Sequence, residues 1–253
     1  MRKEELVQVL GIVQARMSSS RLPGKVLMKI GPLTALEWTV ERLLMANSVD
    51  EVIIATTTNK ADRPILELCR QRGWPVHCGS EDDVLTRSYE AAGIYSPRIV
   101  VDVTSDCPFV DPRHIDILVA GMLRHGLDYS SNIVPRSWPD GLDIQVYKMK
   151  SFIRLAESDW AIREHTGWNF TQAPWPDLKC RQFKAPPSMD RPHWRLTLDT
   201  AEDMKVLRAC WDQFIRFHAE EKMFPVAGLI WFLDKNKHLL TNSEVKSTTP
   251  GVV

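Results

Sequence analysis

A dense group of cations and hydroxyls follows the first apolar run of this 253-residue chain. Arg16, Arg21 and Lys25 lie within ten residues of sequence. The hydroxyls between the first two cations belong to Ser18, Ser19 and Ser20. Together these side chains supply the positive charge and the hydrogen-bond donors that a triphosphate requires. The composition therefore predicts a phosphate-binding loop, although loops that are simply solvated connections often contain the same residue types.

The remainder of this loop favours a nucleotide site. Its Leu-Pro-Gly turn at 22–24 is stiffened by proline, and the glycine permits unusual backbone angles. The loop follows an apolar strand predicted over 7–13, and nucleotides commonly dock at such a first strand-to-helix loop. Walker A and GxGxxG motifs are absent, since Ser19 and Val26 stand where Walker A requires Gly and Ser or Thr.

Strand and helix patterns alternate through the first half of the chain. Apolar strands are predicted at 7–13, 51–57, 74–78 and 98–103, with helices at 34–46, 62–72 and 80–93 between them. Asp62 and Ser80 are predicted to cap the second and third helices. This alternation predicts an α/β fold with an open, mostly parallel sheet and helices on both faces. After a helix predicted at 114–124, the stretch 127–132 breaks the simple rhythm, and a further strand is predicted at 142–147.

Two acidic residues stand where predicted strands end. Asp106 follows the fourth strand, at the sheet edge where α/β proteins bind ligands. Asp199 ends an alternating stretch at 194–199, directly before a helix that Thr200 and Asp203 are predicted to cap. An Asx turn is the alternative for Asp106. Helix capping explains Thr200 and Asp203 but not Asp199, so Asp199 is a candidate metal ligand.

Composition excludes several classes of protein. Lys plus Arg (32) equals Asp plus Glu (32), and this zero net charge argues against a general nucleic-acid binder. No segment approaches the ~20 apolar residues needed to span a bilayer, and the N-terminus lacks a signal-peptide pattern. The five cysteines form no CxxC pair, which favours free thiols in a cytoplasmic protein over a zinc site.

Three motifs together resemble one enzyme family. The string QARMSSSRLPGKVL at 14–27 is similar to the loop of the cytidylyltransferases that activate acidic sugars. That family includes spore-coat polysaccharide biosynthesis protein F and the CMP-KDO and CMP-sialate synthetases. The segments TSDCP at 104–108 and RLTLDTAED at 195–203 resemble its two acidic motifs. The resemblance implies a nucleotide-diphospho-sugar transferase-like domain over 1–233, with a small arm at 130–194 and a polar tail at 234–253.

The resemblance also implies a reaction. CMP would pass from CTP to an acidic sugar with release of pyrophosphate, in the biosynthesis of a cell-surface or coat polysaccharide. Arg16, Lys25 and Asp106 would be catalytic, Arg21 would bind the phosphates, and Asp106 with Asp199 would hold Mg²⁺ as cofactor. The tryptophan-rich segment 138–194 would form a homodimer. A nucleotide-sugar-dependent glycosyltransferase and a non-catalytic nucleotide-binding homologue are the alternatives.

The acceptor side resembles the family less closely. Ser80, Asp143, Arg163 and His165 are the remaining substrate-binding candidates, the last two within the family's REH element. Gln145 stands where the family commonly has Glu, and the sequence TGWN at 166–169 replaces a VTPY-like string. An acidic acceptor would need an arginine for its carboxylate. The candidates are Arg136, Arg163 and Arg195.

Overall fold

A seven-stranded mixed sheet forms the centre of the computed structural model, which describes residues 7–159, 161–164, 166–167, 169–170, 177–217 and 224–240. The strands are β1 (Val9–Gln14), β4 (Glu51–Thr57), β5 (Val76–Gly79), β6 (Ile99–Thr104), β7 (Tyr129–Ser131), β8 (Gln145–Lys148) and β9 (Cys180–Gln182). Their order is β5-β4-β1-β6-β8-β7-β9, and of these seven described strands only β8 runs antiparallel to both of its neighbours. The short strands β2 (Lys29–Ile30) and β3 (Leu33–Thr34) form a separate hairpin. The predicted open, mostly parallel sheet is confirmed.

Helices cover both faces of the sheet, as predicted. They are α1 (Ala35–Leu44), α2 (Arg63–Arg72), α3 (Val84–Gly93), α4 (Pro112–His125), α5 (Met149–Ala156), α6 (Ala201–Gln213) and α7 (Val226–Lys235). Strand β1 shows why each face of the sheet needs its own layer of helices. Its apolar side chains point alternately to the two faces, and both sets must be buried. Val9 and Val13 pack with α1, α2 and α4, whereas Leu10 and Ile12 pack with α3 and α5.

A third apolar cluster lies beside the sheet and is built mainly by α6 and α7. Trp38, Phe109 and Trp138 join it and are almost completely buried. Leu240 is also buried here, and α7 continues through Asp234, the residue at which the sequence analysis begins the polar tail. Residues 241–253 lie outside the described part of the chain. No helix within the described ranges is long and apolar enough to cross a membrane.

Local predictions differ from the structure at three places. The N-cap of α3 is Asp83, whose carboxylate accepts the Thr86 amide; Ser80 instead accepts the Asp83 amide through its hydroxyl. The stretch 194–199 is not a strand, since its backbone makes only an isolated bridge between Asp140 and Arg195. Strands β7, β8 and β9 belong to the central sheet, although they start within or next to the segment predicted as an arm.

A glycine explains how the stretch 194–199 is held beside the sheet. Gly141 has φ +98°, and a Cβ at this position would meet the backbone of Leu196 and Thr197. Hydrogen bonds join the two segments, from the Asp140 amide to the Trp194 carbonyl (2.9 Å) and from the Leu196 amide to the Asp140 carbonyl (2.6 Å). The missing side chain allows this close approach, which fixes the path of the chain towards Asp199.

This packing predicts opposite effects for two glycine substitutions. Gly141→Ala should lower the free energy of unfolding by about 2–4 kcal/mol, because alanine disfavours positive φ and its methyl group would overlap backbone atoms. Gly121→Ala is the matched control, since Gly121 lies inside α4 with open space around it. The control should raise the free energy by about 0.5–1 kcal/mol. Urea-induced unfolding measures both, and equal effects would contradict the close-approach argument.

Candidate active site

The predicted phosphate-binding loop leaves the carboxyl end of β1 and folds back on itself. Strand order reverses between the parallel neighbours β1 and β6, and ligands of open α/β sheets bind in the crevice at such a reversal. The Met17 carbonyl accepts the amides of Ser19 (2.9 Å) and Gly24 (3.0 Å). Gly24 has φ +73°, which gives it a left-handed conformation before a short 3₁₀ turn at Lys25–Leu27. The predicted turn chemistry is thus present in the loop.

Two acidic side chains attach this loop to its neighbours. Asp62 precedes α2 but does not cap it; its buried carboxylate accepts the Met17 amide at 2.6 Å and the Thr57 hydroxyl. Glu81 accepts the Ser18 hydroxyl at 2.8 Å. The predicted capping role of Asp62 is therefore wrong, because the carboxylate supports the loop backbone instead.

Lys25 lies between the two acidic residues that the sequence analysis selected. Its ammonium Nζ is 2.7 Å from Asp106 Oδ2 and 2.8 Å from Asp199 Oδ1. The guanidinium of Arg21 also contacts Asp199 Oδ1, at 3.0 Å. The two carboxylates that the resemblance assigns to Mg²⁺ thus line one cleft, and the Lys25 ammonium lies between them.

The charges at this contact perturb one another. Burial alone would lower the pKa of Lys25, but the carboxylates of Asp106 and Asp199 outweigh it and raise that pKa. Burial likewise opposes ionisation of Asp199, yet Lys25 and Arg21 hold the pKa of its carboxyl below the usual value. Both partners are therefore charged at neutral pH, and the contact is an ion pair.

Separate hydrogen bonds position each carboxylate. The Thr104 hydroxyl donates to Asp106 Oδ1 (2.5 Å), and the Asp106 carbonyl accepts the Leu198 amide (2.9 Å). Arg195 donates to Asp199 Oδ2 (3.0 Å). The predicted cap of α6 is present. The Thr200 hydroxyl accepts the backbone amide of Asp203, and the Asp203 carboxylate accepts the backbone amide of Thr200. The acidic pair is thus joined through backbone as well as through Lys25.

The loop and the acidic pair enclose a cleft of about 610 Å³, a volume typical of small-molecule sites. Arg16 lies along it with its side chain 40% exposed, 3.6 Å from the carboxylate of Glu164. Ser18, Ser19, Ser20, Arg21, Lys25, Asp106 and Asp199 also line it. The loop and the two acids, predicted from distant parts of the sequence, therefore come together at one site.

Several residues that line the cleft were not among the candidates chosen from the sequence. Arg87 on α3 is buried at the cleft wall, where its Nη1 donates to the Ser80 carbonyl at 2.6 Å. Gln14 and Glu164 also line the cleft. The sequence signal for Arg87 was its place among the apolar residues of the buried stripe of α3. A charged residue in such a stripe needs a polar partner, and cleft walls supply one.

Three predicted substrate-binding residues do not line this cleft. Ser80 uses its hydroxyl in the turn before α3. Asp143 forms a two-point ion pair with Arg136 (2.8 and 2.9 Å), and Arg163 pairs with Asp83 (2.8 Å). His165 lies outside the described residues.

The arginines proposed for an acceptor carboxylate are therefore already engaged. Arg136 is bound to Asp143 and Arg163 to Asp83. Arg195 is buried and contacts the carboxylates of Asp140, Asp199 and Asp203. Its geometry is that of a residue that positions Asp199, because it has three internal counter-ions.

The acidic pair suits a hard divalent cation. Asp106 and Asp199 contribute oxygen ligands, which Mg²⁺ prefers, and the cleft beside them has room for phosphate and water oxygens. In the ranges that the structure describes, no group of three or more His, Cys, Asp or Glu residues is arranged to hold a metal. Two carboxylates alone fit Mg²⁺, which commonly takes only one or two from the protein.

A buried acid lies beneath the loop. Asp102 on β6 is 1% exposed, and both of its carboxylate oxygens accept the side-chain amide Nε2 of Gln14 at 2.8 Å. Burial raises the pKa of Asp102 to about 6, although Gln14 and the nearby charge of Arg87 favour the ionised form. The end of β1, from which the predicted phosphate-binding loop starts, is therefore hydrogen-bonded to a carboxyl group of β6 that is costly to ionise.

An open α/β sheet with a cation-rich loop and an acidic pair at its strand-order reversal defines a ligand-binding protein of the α/β class. Comparison with known proteins identifies the family. The family model described as cytidylyltransferase matches residues 10–160, which is more than half of the chain, and the protein belongs to that family.

Individual relatives agree with this membership. The chain is 30% identical to spore coat polysaccharide biosynthesis protein SpsF of Bacillus subtilis, over 93% of this chain and 98% of that protein. It is 33% identical to a 3-deoxy-manno-octulosonate cytidylyltransferase of Solibacter usitatus, over 46% of each chain. A solved cytidylyltransferase from Leptospira borgpetersenii superposes with TM-score 0.83 and 29% identity, covering 93% of this chain and 98% of that one. The nucleotide-diphospho-sugar transferase-like fold is thus confirmed.

The buried Asp102 predicts a pH-dependent effect on stability. Its folded pKa is raised above the unfolded value, so the folded protein retains a proton that the unfolded chain has lost between pH 4 and 6. The carboxyl group therefore costs stability as pH rises through this window. Asp102→Asn changes the free energy of unfolding relative to the wild type. This change should be about 2–3 kcal/mol more stabilising at pH 7 than at pH 4. Urea unfolding at both pH values measures the difference, and a pH-independent difference would contradict the assignment.

Proposed function

We propose that the protein transfers CMP from CTP to an acidic sugar and releases pyrophosphate, in the biosynthesis of a cell-surface or coat polysaccharide. The observation that carries this proposal is the meeting of Lys25 and Arg21 with Asp106 and Asp199 in one cleft of nucleotide size. Family membership supports nucleotidyl transfer. The printed names of the relatives, a coat polysaccharide protein and an octulosonate cytidylyltransferase, support the acceptor class and the process.

The loop cations would bind the triphosphate and stabilise the departing pyrophosphate. Arg16 is well placed for this role, since its half-exposed guanidinium reaches its carboxylate partner only at 3.6 Å. Arg21 and Lys25 would transfer from Asp199 and Asp106 to phosphate oxygens as the nucleotide enters. Such fixed positive charges stabilise the transition state because negative charge develops on the departing pyrophosphate, close to these cations. Ser18, Ser19 and Ser20 would donate hydrogen bonds to the same oxygens.

Asp106 and Asp199 would hold Mg²⁺, which when bound would offset the charge of the α-phosphate and orient it for in-line attack. The nucleophile would be the hydroxyl of the acceptor sugar, so the protein needs no covalent intermediate. A glycosyltransferase would use a nucleotide sugar and release no pyrophosphate from CTP. A non-catalytic homologue would bind CTP without turnover.

These alternatives are separated by a pyrophosphate-release assay with CTP and a panel of acidic sugars. The wild type should release pyrophosphate with at least one acidic sugar and not with its neutral counterpart. Asp106→Asn should reduce turnover by at least about 10³-fold, because charge is lost while shape is kept. Asp82→Asn, which changes a carboxylate in the same cleft without a contact to Lys25, is the matched control and should keep most activity. Full activity of Asp106→Asn would refute the proposed role.

We also propose a homodimer and a cytoplasmic location. The five free cysteines fit a reducing compartment.

Trp138 does not support the dimer, because it is buried against His114 and Phe183. Trp160, Trp168 and Trp175 lie outside the described residues. Better support comes from strand β9, which forms one edge of the described sheet and lies within the proposed segment 138–194. Beside it a groove of about 360 Å³ exposes Ile117 of α4. Exposed sheet edges with adjacent apolar surface are common pairing sites.

Light scattering at high micromolar concentration tests this assembly. The wild type should have the mass of a dimer, and Ile117→Asp should shift it towards the monomer, because a carboxylate would be buried in the interface. Ile94→Asp is the control, since Ile94 is 60% exposed but lies after α3, away from the β9 edge. A monomeric wild type, or a dimer that Ile117→Asp leaves intact, would contradict this interface.

A further inference from the structure

We infer that Lys25 acts as an internal counter-ion that closes the divalent-cation position until a triphosphate draws its ammonium away. CTP and the metal ion would then bind as a coupled pair, with neither binding well alone. This inference rests on the proposed function, because it takes the acidic pair as the metal site. It adds a binding property that follows from the contacts of Lys25 itself.

The oxygens of the acidic pair show why Lys25 blocks the position. Each carboxylate uses one oxygen for its own placement: Asp106 Oδ1 accepts the Thr104 hydroxyl, and Asp199 Oδ2 accepts Arg195. The other oxygen of each, Asp106 Oδ2 and Asp199 Oδ1, contacts the Lys25 ammonium. A cation held by both carboxylates would compete with the ammonium for these two oxygens.

Burial makes this displacement costly. The Lys25 side chain is only 11% exposed, and those of Asp106 and Asp199 are 26% and 15% exposed. An ammonium moved away from both carboxylates needs another anion, because an unpaired charge in a partly buried site is unfavourable. Equally, moving Lys25 without a replacement cation leaves Asp106 without its ammonium partner beside Asp199, which still contacts Arg21 and Arg195. Like charges at short range repel, so this state is unfavourable.

A triphosphate resolves both problems together with the metal ion. Its distal phosphates supply new anionic partners for Lys25 on the same cleft wall, and the metal ion restores positive charge between Asp106 and Asp199. Each ligand removes the penalty that the other would face alone, so each should raise the affinity of the other by the same factor. CMP lacks the distal phosphates and should couple much less.

Binding of Mn²⁺, followed by electron paramagnetic resonance without any acceptor sugar, tests this inference directly. The wild type should bind Mn²⁺ weakly alone, and CTP should tighten binding far more than CMP, beyond the Mn²⁺ that each nucleotide chelates in a protein-free control. Lys25→Met, which keeps the length of the stem and removes the charge, should bind Mn²⁺ at least about tenfold more tightly than wild type without nucleotide. Lys25→Gln is a second neutral variant in case the first does not fold, as judged by circular dichroism.

Arg16→Met is the matched control. It also removes one positive charge from the cleft, but Arg16 pairs with Glu164 and does not touch the acidic pair. Its Mn²⁺ affinity without nucleotide should stay within about twofold of wild type. Equal tightening in the Arg16 and Lys25 variants would overturn the inference, because a general change of cleft charge would then explain both. Unchanged Mn²⁺ affinity in folded Lys25→Met and Lys25→Gln would also overturn it.

Two further variants separate this inference from the proposed function. Asp106→Asn and Asp199→Asn, each combined with Lys25→Met, should abolish the tighter Mn²⁺ binding. If each aspartate change weakens Mn²⁺ binding while Lys25→Met alone gives no gain over wild type, the acidic pair holds the metal and only the counter-ion role fails. If Mn²⁺ binding does not depend on either aspartate, the proposed metal site itself is wrong.

Discussion

The contact of one ammonium with two carboxylates is the interaction on which the site depends. Lys25 is separated from Asp106 by 81 residues and from Asp199 by 174 residues, yet its Nζ lies within hydrogen-bond distance of both. Three segments must therefore keep their relative positions: the loop after β1, the turn after β6 and the stretch before α6. In a partly buried setting such a contact is favourable only when every charge has its partner. The surrounding scaffold supplies these partners.

The scaffold does this through backbone contacts more than through additional charges. Pairing of β1 with β6 in parallel places the first two segments at the same sheet edge. The third reaches them because Gly141 lets the chain pass against its own backbone and because the Asp106 carbonyl accepts the Leu198 amide. Arg195 is buried within this arrangement and forms ion pairs with three carboxylates. Rigid support of this kind keeps reactive groups in place while ligands exchange ion-pair partners.

Much of the fold follows from local sequence patterns. Glu51–Thr57 forms a strand with the predicted bounds, and α2 ends at Arg72 as predicted, before Gly73 in a left-handed conformation. Period-two and period-3.6 patterns are set by short-range geometry, so they can be detected without knowledge of the partner segments. Errors appeared where a tertiary contact competed with a local one. Asp62 leaves its helix end to bind the Met17 amide, and the stretch before Asp199 pairs with a distant turn instead of forming a strand.

The sequence by itself determined the chemical inventory of the site: three cations and three serines in one loop, and two acids at segment ends. Only the tertiary structure decided how these charges are paired. It places Lys25 between the acids, occupies Arg136, Arg163 and Arg195 with internal carboxylates, and puts Arg87 at the cleft wall. The physical reason is that ion pairing depends on distance and burial, which arise when remote segments pack together. A linear pattern contains neither quantity.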